Sequence, residues 1–570
     1  MLLEKLKNEI DANLTNDQFS VEALAKKIGM SRSQLHRKLN TATGQSASQF
    51  IREYRLHLGM ELLNEGGLTA AEVAYRVGFG SASYFSKCFT EYYGFPPGVV
   101  KNKLVKEETA NLKDKSIAIL PFKNLSGDQR NAYFSDGVIE AIQTYLSQIR
   151  SLRVISRTSV ERYRTGAKPA CEIASELGVS ALLEGSIQRE KNKVRIDVRL
   201  VDGFTEGLVW AKSYDRELGD VFAIQSEIAR RVANELQATL SPQEQSKFSK
   251  TDTDNPKAYD LYLKGIYEYR TYTNKGAHNA IELLTQVIAL DPEYARAHAF
   301  LANSYIGLAT VWGAELSAME ALKKGKPLID KAISLDHGLD EANMLMGFYK
   351  LYHDWDFKGA EAAYKLAVDS GHPDALAMYI DYLHFVSRHE EAMEWAERLN
   401  LYDPYYPNSR IVLSYVHNGR FEEALEFSQS RLKMLNNYLT LDSHGFLLLN
   451  MKRYQEAIVY FHKAINLEDI RYPRMLGWMG AAFAHSGFLL DAFKIIEELK
   501  ERLARNEKGS LAFFIAVIYS ALNEREAALC WLKVAYDTHD MEMPWLMTEP
   551  QFYNLHGEPE FLQLAAQMGF

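Results

Sequence analysis

The chain has 570 residues, a length that predicts several domains because single cores stop growing at about 250–300 residues. Hydrophobic residues make up 47% and charged residues 24%, a balance that excludes a mostly disordered protein. The 65 basic and 74 acidic residues give a net charge of −9, so the whole chain is not a basic nucleic-acid coat. Its 3 widely spaced cysteines argue against a disulfide framework or a multi-cysteine zinc site, and they favour reduced thiols.

Charge and local pattern divide the chain into three parts. Residues 1–105 carry 13 basic and 10 acidic side chains, whereas the remainder carries 52 and 64, so the amino-terminal part is weakly basic. The stretches 101–115 and 241–256 are polar and contain few large apolar residues. We therefore predict a purely helical domain at 1–105, an α/β domain at 113–245 and a repetitive helical domain at 255–570.

Residues 21–44 contain the pattern of two short helices joined by a glycine. An apolar stripe ends at Ile28, Gly29 follows, and Ser31 then caps a second helix with Leu35 and Leu39 inward. A helix, a short glycine turn and a capped helix form a helix-turn-helix, a motif whose second helix can enter the major groove of DNA. That second helix exposes side chains that can bond base edges or phosphates: Arg32, Ser33, Gln34, His36, Arg37 and Lys38.

The same pattern occurs again in residues 68–94, with Gly78 in the turn and Phe85 and Phe89 facing inward. A long helix predicted at 46–66 joins the two copies. The second helix of this copy exposes Ala82, Ser83, Tyr84, Ser86 and Lys87. Because it carries a single cation, we expect it to contribute position or weak specificity while the first copy reads more bases.

These residues resemble the AraC-type DNA-binding domain, which carries two helix-turn-helix units. The match includes Leu24-Ala25 in the first unit and Val77-Gly78-Phe79 in the second, together with Gly44 and Gly94. The resemblance implies that double-stranded DNA is a partner. It also implies which residues read bases: Ser33, His36 and Arg37 in the first unit, and Ala82, Ser83, Ser86 and Lys87 in the second.

The chain departs from that family at two places. Gly59 stands where the family usually has Ala, and a glycine inside a helix costs about 1 kcal/mol, so we expect a slightly soft linker helix. Val100-Lys101 stands where the family usually closes with an aromatic-Arg pair, so we expect the last helix to end differently.

Strand and helix patterns alternate between residues 116 and 240. Residues 181–202 read as a hairpin, because apolar side chains alternate at period two beside the turn at Lys191–Lys193. We predict a small α/β sandwich of about five strands. The stretches LPF, YFSDG and YDR resemble the TolB-like domain of bacterial regulators, which implies a sensing or interaction role. Within YFSDG, Asp136 can cap a helix or act as a ligand group, and we expect the cap.

Residues 255–570 repeat a helical pattern with a period near 34 residues. Ala360, Ala392, Ala424, Ala457, Ala492 and Ala528 follow one another at intervals of 32, 32, 33, 35 and 36, and Ala280 and Gly325 take the same role upstream. This pattern resembles the tetratricopeptide repeat, so we predict eight helix pairs stacked into an α-solenoid. The resemblance implies a concave groove that binds a protein partner.

Signatures of catalysis are missing from the sequence. It contains no GxxxxGK[ST], GxSxG or HExxH motif, and His298, His384 and His485 read as packing or groove residues. We expect no catalytic residue, no cofactor and no metal. The longest near-apolar run, Leu511–Leu522, is too short to span a bilayer. We therefore expect no membrane partner and a cytoplasmic protein.

These patterns predict a multidomain chain: an all-α helix-turn-helix domain, a small α/β TolB-like domain and an α-solenoid of tetratricopeptide repeats. We predict a sequence-specific DNA-binding transcription regulator whose TolB-like and repeat regions sense a ligand or a protein partner. The alternative is a tetratricopeptide interaction scaffold with weak or vestigial DNA binding. The sequence leaves open whether a small-molecule effector acts on the TolB-like region, and whether one chain or a homodimer occupies the DNA.

Overall fold

The computed structural model forms two compact units, residues 1–114 and 115–570. The predicted boundary between the α/β and repeat domains falls inside the second unit, where both parts share one hydrophobic cluster. The predicted domain boundaries stay predictions. The structure describes residues 2–16, 19–43, 45–65, 70–93, 97, 115–126, 132–165, 168–190, 193–241, 244, 252–271, 273–310, 315–368, 371–406, 410–435, 437–468 and 471–570.

The amino-terminal unit is helical throughout its described elements, as predicted. Ile51 and Leu56 lie on one long helix and belong to two different hydrophobic clusters, one around each helix-turn-helix pattern. That helix therefore joins the two patterns by packing as well as by sequence. The helices are α1 (Leu2–Asp11), α2 (Val21–Lys27), α3 (Arg32–Thr43), α4 (Ala47–Glu65), α5 (Ala70–Arg76) and α6 (Ala82–Tyr93).

The second unit begins with a mixed sheet of six strands in the order β3-β1-β4-β5-β6, with β2 paired to β4. Parallel pairing joins β1 to β3 and β4, and antiparallel pairing joins β4, β5 and β6. The prediction of about five strands missed β2, since two residues are too few to show a periodic pattern. The strands are β1 (Ser116–Ile119), β2 (Lys123–Asn124), β3 (Arg153–Val154), β4 (Ala181–Glu190), β5 (Lys193–Asp202) and β6 (Leu208–Glu217).

Four described helices accompany the sheet, the first and the last on one face and the middle two on the other. Ile142 of the first and Ile228 of the last are fully buried in the cluster that the sheet shares with the first repeat. Alternating burial along β5 confirms the predicted half-buried strand. The helices are α7 (Ala132–Ser147), α8 (Arg157–Val160), α9 (Ala170–Leu177) and α10 (Val221–Glu235).

The rest of the second unit is a stack of helix pairs, and the described residues contain the eight predicted pairs. All seven alanines assigned to the closest approach of two helices are fully buried, and Gly325 lies against Ala302. Among the described helices, none is both long and apolar enough to cross a lipid bilayer. The first four pairs are α11 (Pro256–Tyr269) with α12 (Asn274–Leu290), α13 (Ala295–Thr310) with α14 (Ala318–Leu335), α15 (Asp340–Tyr352) with α16 (Phe357–Ala367), and α17 (Pro373–Phe385) with α18 (His389–Tyr402). The last four pairs are α19 (Arg410–His417) with α20 (Phe421–Met434), α21 (Tyr438–Asn450) with α22 (Tyr454–Glu468), α23 (Pro473–His485) with α24 (Leu489–Ala504), and α25 (Leu511–Ala521) with α26 (Arg525–Asp537); α27 (Pro559–Met568) follows.

The α/β part of this unit contacts the repeats at two separate places. In the first pair, Arg270, which directly follows α11, binds Glu140 of α7, with Nη2 and Oε1 2.6 Å apart. Near the fourth pair, Arg153 donates Nη1 to the carbonyl oxygen of Leu401 at 2.8 Å, and the N–H of Ser156 donates to that of Tyr402 at 2.9 Å. The α/β part therefore bridges the first repeat and the loop after the fourth.

The carboxyl-terminal segment contacts repeats that are distant in sequence. The rings of Trp355 and His539 stack with their centroids 4.2 Å apart, so the end of α26 meets the loop of the third pair. Farther along, Trp545 contacts Phe385 of α17 edge to face at 4.5 Å. The repeat array is thus bridged by its own carboxyl-terminal segment.

Asp136 does not cap a helix, because it lies inside α7 rather than at its start. Its Oδ2 accepts from Nη2 of Arg157 at 2.6 Å, and its Oδ1 accepts from Nη2 of Arg164 at 2.8 Å. Both arginines lie more than 20 residues away, so the local motif could not show this role. The expectation of a cap was therefore wrong.

Removing the Asp136 carboxylate is expected to destabilise the second unit. The side chain is nearly buried, so Asp136→Ala leaves two partly buried guanidinium groups with only the more exposed Glu161 as a shared partner, at a cost of about 1–3 kcal/mol. Glu161→Ala is the control, because Glu161 pairs with the same arginines at the exposed surface and costs less than about 1 kcal/mol. Urea unfolding followed by tryptophan fluorescence measures both. Equal losses in the two variants would contradict the assigned role.

Candidate nucleic-acid interface

The helix α3 has one buried and one polar side. The side chains of Leu35 and Leu39 are fully buried. Ser31 Oγ accepts the N–H of Gln34 at 3.2 Å, and Gln34 Oε1 accepts the N–H of Ser31 at 3.0 Å. This reciprocal capping box fixes the start of the helix. It also engages the side-chain Oε1 of Gln34 in a hydrogen bond. All six predicted side chains are exposed: Arg32, Ser33, Gln34, His36, Arg37 and Lys38.

One face of α3 is continuous and polar. Ser33, His36, Arg37 and Asn40 are exposed at helical spacings of three, four and seven residues, so they lie side by side. Sequence reasoning missed Asn40, although the same helical period would have found it. An exposed face of hydroxyl, imidazole, guanidinium and amide groups can bond both base edges and phosphates.

Arg32 forms an ion pair with a residue of the neighbouring helix α2. Its Nη1 lies 2.7 Å from Oε1 of Glu22 on α2, and both side chains are exposed. Exposed ion pairs contribute less than about 1 kcal/mol, so Arg32 can exchange this carboxylate for a phosphate at little cost.

The helix α6 repeats this arrangement with fewer charges. Ser81 Oγ accepts the N–H of Tyr84 at 3.1 Å, and Phe85 and Phe89 are fully buried, as predicted. Lys87 is exposed and Ser86 is half-buried, while Tyr84 packs beside Phe79 with its ring centroid 5.9 Å away. Ala82 and Ser83 lie in the first turn of α6, but their side chains fall outside the described part of the structure.

A buried arginine holds the two helix-turn-helix patterns together. Arg55 of α4 donates Nη1 to the carbonyl oxygen of Gly78 and Nη2 to that of Asn16, both at 2.7 Å. Gly78 forms the second turn, with φ of +77°, and a side chain there would collide with the Leu14 carbonyl and with Arg55. Because a guanidinium satisfies two loop carbonyls at once, Arg55 fixes the turn that leads into α6.

Gly59 allows α4 and α6 to pack closely. A Cβ atom at this position would lie 3.0 Å from Cε2 of Phe85, so the glycine lets this ring approach α4 closely. The helix is continuous through this point, from Ala47 to Glu65. The expected softness of α4 stays a prediction. Gly44, Gly94 and the Val100-Lys101 pair lie outside the described residues.

Similarity to known proteins agrees with this geometry. Residues 24–103 match the model of a family described as a helix-turn-helix domain. A putative AraC-like transcription regulator of Streptomyces lividans is 35% identical over 80 residues, which are 14% of this chain and 26% of that protein. The amino-terminal unit therefore carries an AraC-type helix-turn-helix domain.

Two further similarities concern other proteins. Putative adenylate cyclase 3 of Rhizobium meliloti (strain 1021) is 39% identical over 186 residues, or 33% of this chain and 32% of that protein. This chain thus spans about a third or less of the length of the curated relatives named here. The crystal structure of YrrB, described as a TPR protein with an unusual peptide-binding site, is 15% identical with a TM-score of 0.21, and the match covers 45% of this chain and 100% of that one.

Proposed function

We propose that this chain is a sequence-specific DNA-binding transcription regulator and not an enzyme. The observation that carries the proposal is the continuous exposed face of Ser33, His36, Arg37 and Asn40 on a capped helix whose other side is core. The AraC-type domain supports it. Its partner is double-stranded DNA, so the chain acts in the cytoplasm.

In this proposal, the two helix-turn-helix patterns have different roles in DNA recognition. The helix α3 supplies most base contacts, because it carries three cations, while α6 carries Lys87 alone and contributes position. Two reading helices on one chain can enter successive turns of the major groove, about 34 Å apart. A homodimer would double this site, and the spacing of the bound half-sites distinguishes the two arrangements.

The second unit receives the signal in this proposal. The TolB-like α/β part and the repeats sense a small-molecule effector or a protein partner, and the signal then changes DNA binding. The direct packing of the α/β part on two different repeats supports a single receiving module.

Replacing Arg37 by alanine is expected to weaken binding to the preferred duplex by about tenfold to a hundredfold, because a base-reading arginine contributes about 1–3 kcal/mol. Fluorescence anisotropy with a labelled duplex measures the affinity at two salt concentrations. The control is Arg52→Ala, which removes an exposed arginine from α4, outside both reading helices. If the two variants lose affinity equally, α3 is not the reading helix.

A protein-interaction scaffold is the second candidate function. One observation favours it: the start of α24 exposes large apolar side chains, with Leu490 78% and Leu489 51% exposed beside Phe488 and Phe493. Contiguous exposed apolar surface is typical of a protein contact. This candidate predicts weak DNA binding without sequence preference, so the same binding assay with an unrelated duplex of equal length discriminates the two.

A further inference from the structure

A large cleft lies between the α/β part and the inner side of the repeats. Its volume is about 2520 Å³, larger than a drug-sized ligand pocket. The first helices of successive pairs line it, and so do α7 and the carboxyl-terminal segment.

Two ion pairs join helices whose residues line the cleft. Asp381 of α17 accepts from Nε of Arg410 at 2.9 Å, and Asp442 of α21 accepts from Nη2 of Arg474 at 2.9 Å. Each pair is close to neutral as a unit. Glu542 adds a third carboxylate that interacts with Arg474, Arg410 and Asp381, so these two pairs and Glu542 carry a net charge of −1 when all are ionised. Asp540 and Glu549 also line the cleft near Glu542, with no ion pair in the part of the chain that the structure describes, and they add negative charge when ionised.

The carboxylate of Glu542 has no hydrogen-bond or ion-pair partner among the described residues, although it lines the cleft and is half-buried. Burial and the Asp381 charge raise its pKa, and Arg474 and Arg410 oppose this rise only partly. An unpaired carboxylate in such a place is costly, so it gains from a bound positive charge.

Two other features of the same wall indicate a ligand. Thr548 lines the cleft and is only 2% exposed, and its buried Oγ1 has no hydrogen-bond partner among the described residues. Aromatic rings flank this part of the wall, with Trp545, Trp478 and Tyr352 all lining the cleft. Aromatic faces attract organic cations as well as apolar bodies, so carboxylate and rings select the same ligand class.

We propose that the wall around Glu542 binds a small organic amine in its protonated form. The ammonium group donates to the Glu542 carboxylate and the Thr548 hydroxyl, and the apolar body lies against Trp545 and Trp478. Metal ions are a poor match, since the described residues contain no cluster of three metal-ligating side chains. The proposal is measured without DNA, so it holds or fails independently of the proposed regulator function.

The test compares three probes that share one apolar body and differ in charge: phenethylamine, 2-phenylethanol and 3-phenylpropionate. Isothermal titration of the full chain at neutral pH is expected to show binding of phenethylamine, with the alcohol and the carboxylate weaker by about tenfold or more. Glu542→Gln is expected to weaken phenethylamine binding by about tenfold or more and to leave the alcohol unchanged. Glu501→Gln is the control, because Glu501 is exposed on α24, away from the cleft lining.

A variant that keeps the negative charge shows whether weaker binding comes from the lost charge or from misfolding. Glu542→Asp is expected to retain amine binding, and unfolding midpoints establish that both variants fold. The proposal is overturned if phenethylamine does not bind at millimolar concentration, if 2-phenylethanol binds as tightly, or if Glu542→Gln leaves amine binding unchanged.

Discussion

Replacing Gly78 by alanine is expected to unfold the amino-terminal unit and to abolish DNA binding by the whole chain. The new Cβ would lie 2.2 Å from the carbonyl oxygen of Leu14 and 2.7 Å from Cζ of Arg55. Neither atom can move freely. The first is a backbone atom, and the second belongs to a buried guanidinium that donates two hydrogen bonds. With the strain of a positive φ added, the loss exceeds about 3 kcal/mol, a large share of the stability of a small domain.

The two units of the chain can be followed separately in this experiment. All 7 tryptophans lie beyond residue 114, so tryptophan fluorescence reports on the second unit alone. Limited proteolysis reports on the first unit. For Gly78→Ala we expect rapid cleavage of residues 1–114, no DNA binding and unchanged fluorescence.

Gly29→Ala is the matched control for Gly78→Ala. Gly29 occupies the equivalent turn with φ of +70°, but a Cβ there meets no atom within 4 Å. Its cost is the backbone strain alone, about 1–2 kcal/mol, and the unit is expected to stay folded. If Gly78→Ala resists proteolysis as well as Gly29→Ala does, the clamp between Arg55 and the second turn is not what holds this unit together.

Replacing Glu549 by glutamine is expected to remove that group's own contribution to the pH dependence of the second unit's stability. Burial raises the pKa of Glu549 to about 7, from 4.5, although a backbone N–H from Gln551 and the indole of Trp478 partly oppose the rise. The folded state therefore holds the proton more tightly than the unfolded state does. The stability from this group is full below about pH 4.5 and is lost as pH rises through about 7.

Urea unfolding at pH 5 and pH 8 measures this effect. From pH 5 to pH 8, the free energy of unfolding of the wild-type chain is expected to fall by about 2–3 kcal/mol more than that of Glu549→Gln. The reason is that each pKa unit corresponds to about 1.4 kcal/mol. The glutamine changes the Trp478 contact equally at both pH values, so the difference isolates the titration. Glu501→Gln, an exposed change, should follow the wild type. A wild-type pH dependence retained in Glu549→Gln would contradict this account.

The parts of the fold that were predictable from sequence are those set by local periodicity. The repeat spacing placed every closest-approach alanine correctly, because each pair of helices is encoded within one period. The inward positions of Leu35 and Phe85 followed from helical spacing in the same way. The strand β2 was missed because its two residues carry no period of their own.

Roles that depend on distant partners were not predictable. The local motif predicted a helix cap for Asp136. Its carboxylate instead pairs with Arg157 and Arg164, which follow β3 in the sequence. Gly59 looked like a weak point, and only the position of Phe85 explains it. The role proposed for Glu542 depends on one cleft that the first helices of successive repeat pairs, α7 and the carboxyl-terminal segment line together. Such contacts arise from the tertiary fold, which a single sequence does not display.

The most direct test of the central claim is selection from a pool of random duplexes by the full chain, followed by sequencing of the bound DNA. We expect an enriched motif that Arg37→Ala loses and Arg52→Ala retains. Half-site spacing in that motif then reports whether one chain or two are bound. No enrichment by the wild-type chain, or a motif that Arg37→Ala leaves unchanged, would contradict the account of α3 as the reading helix of a sequence-specific regulator.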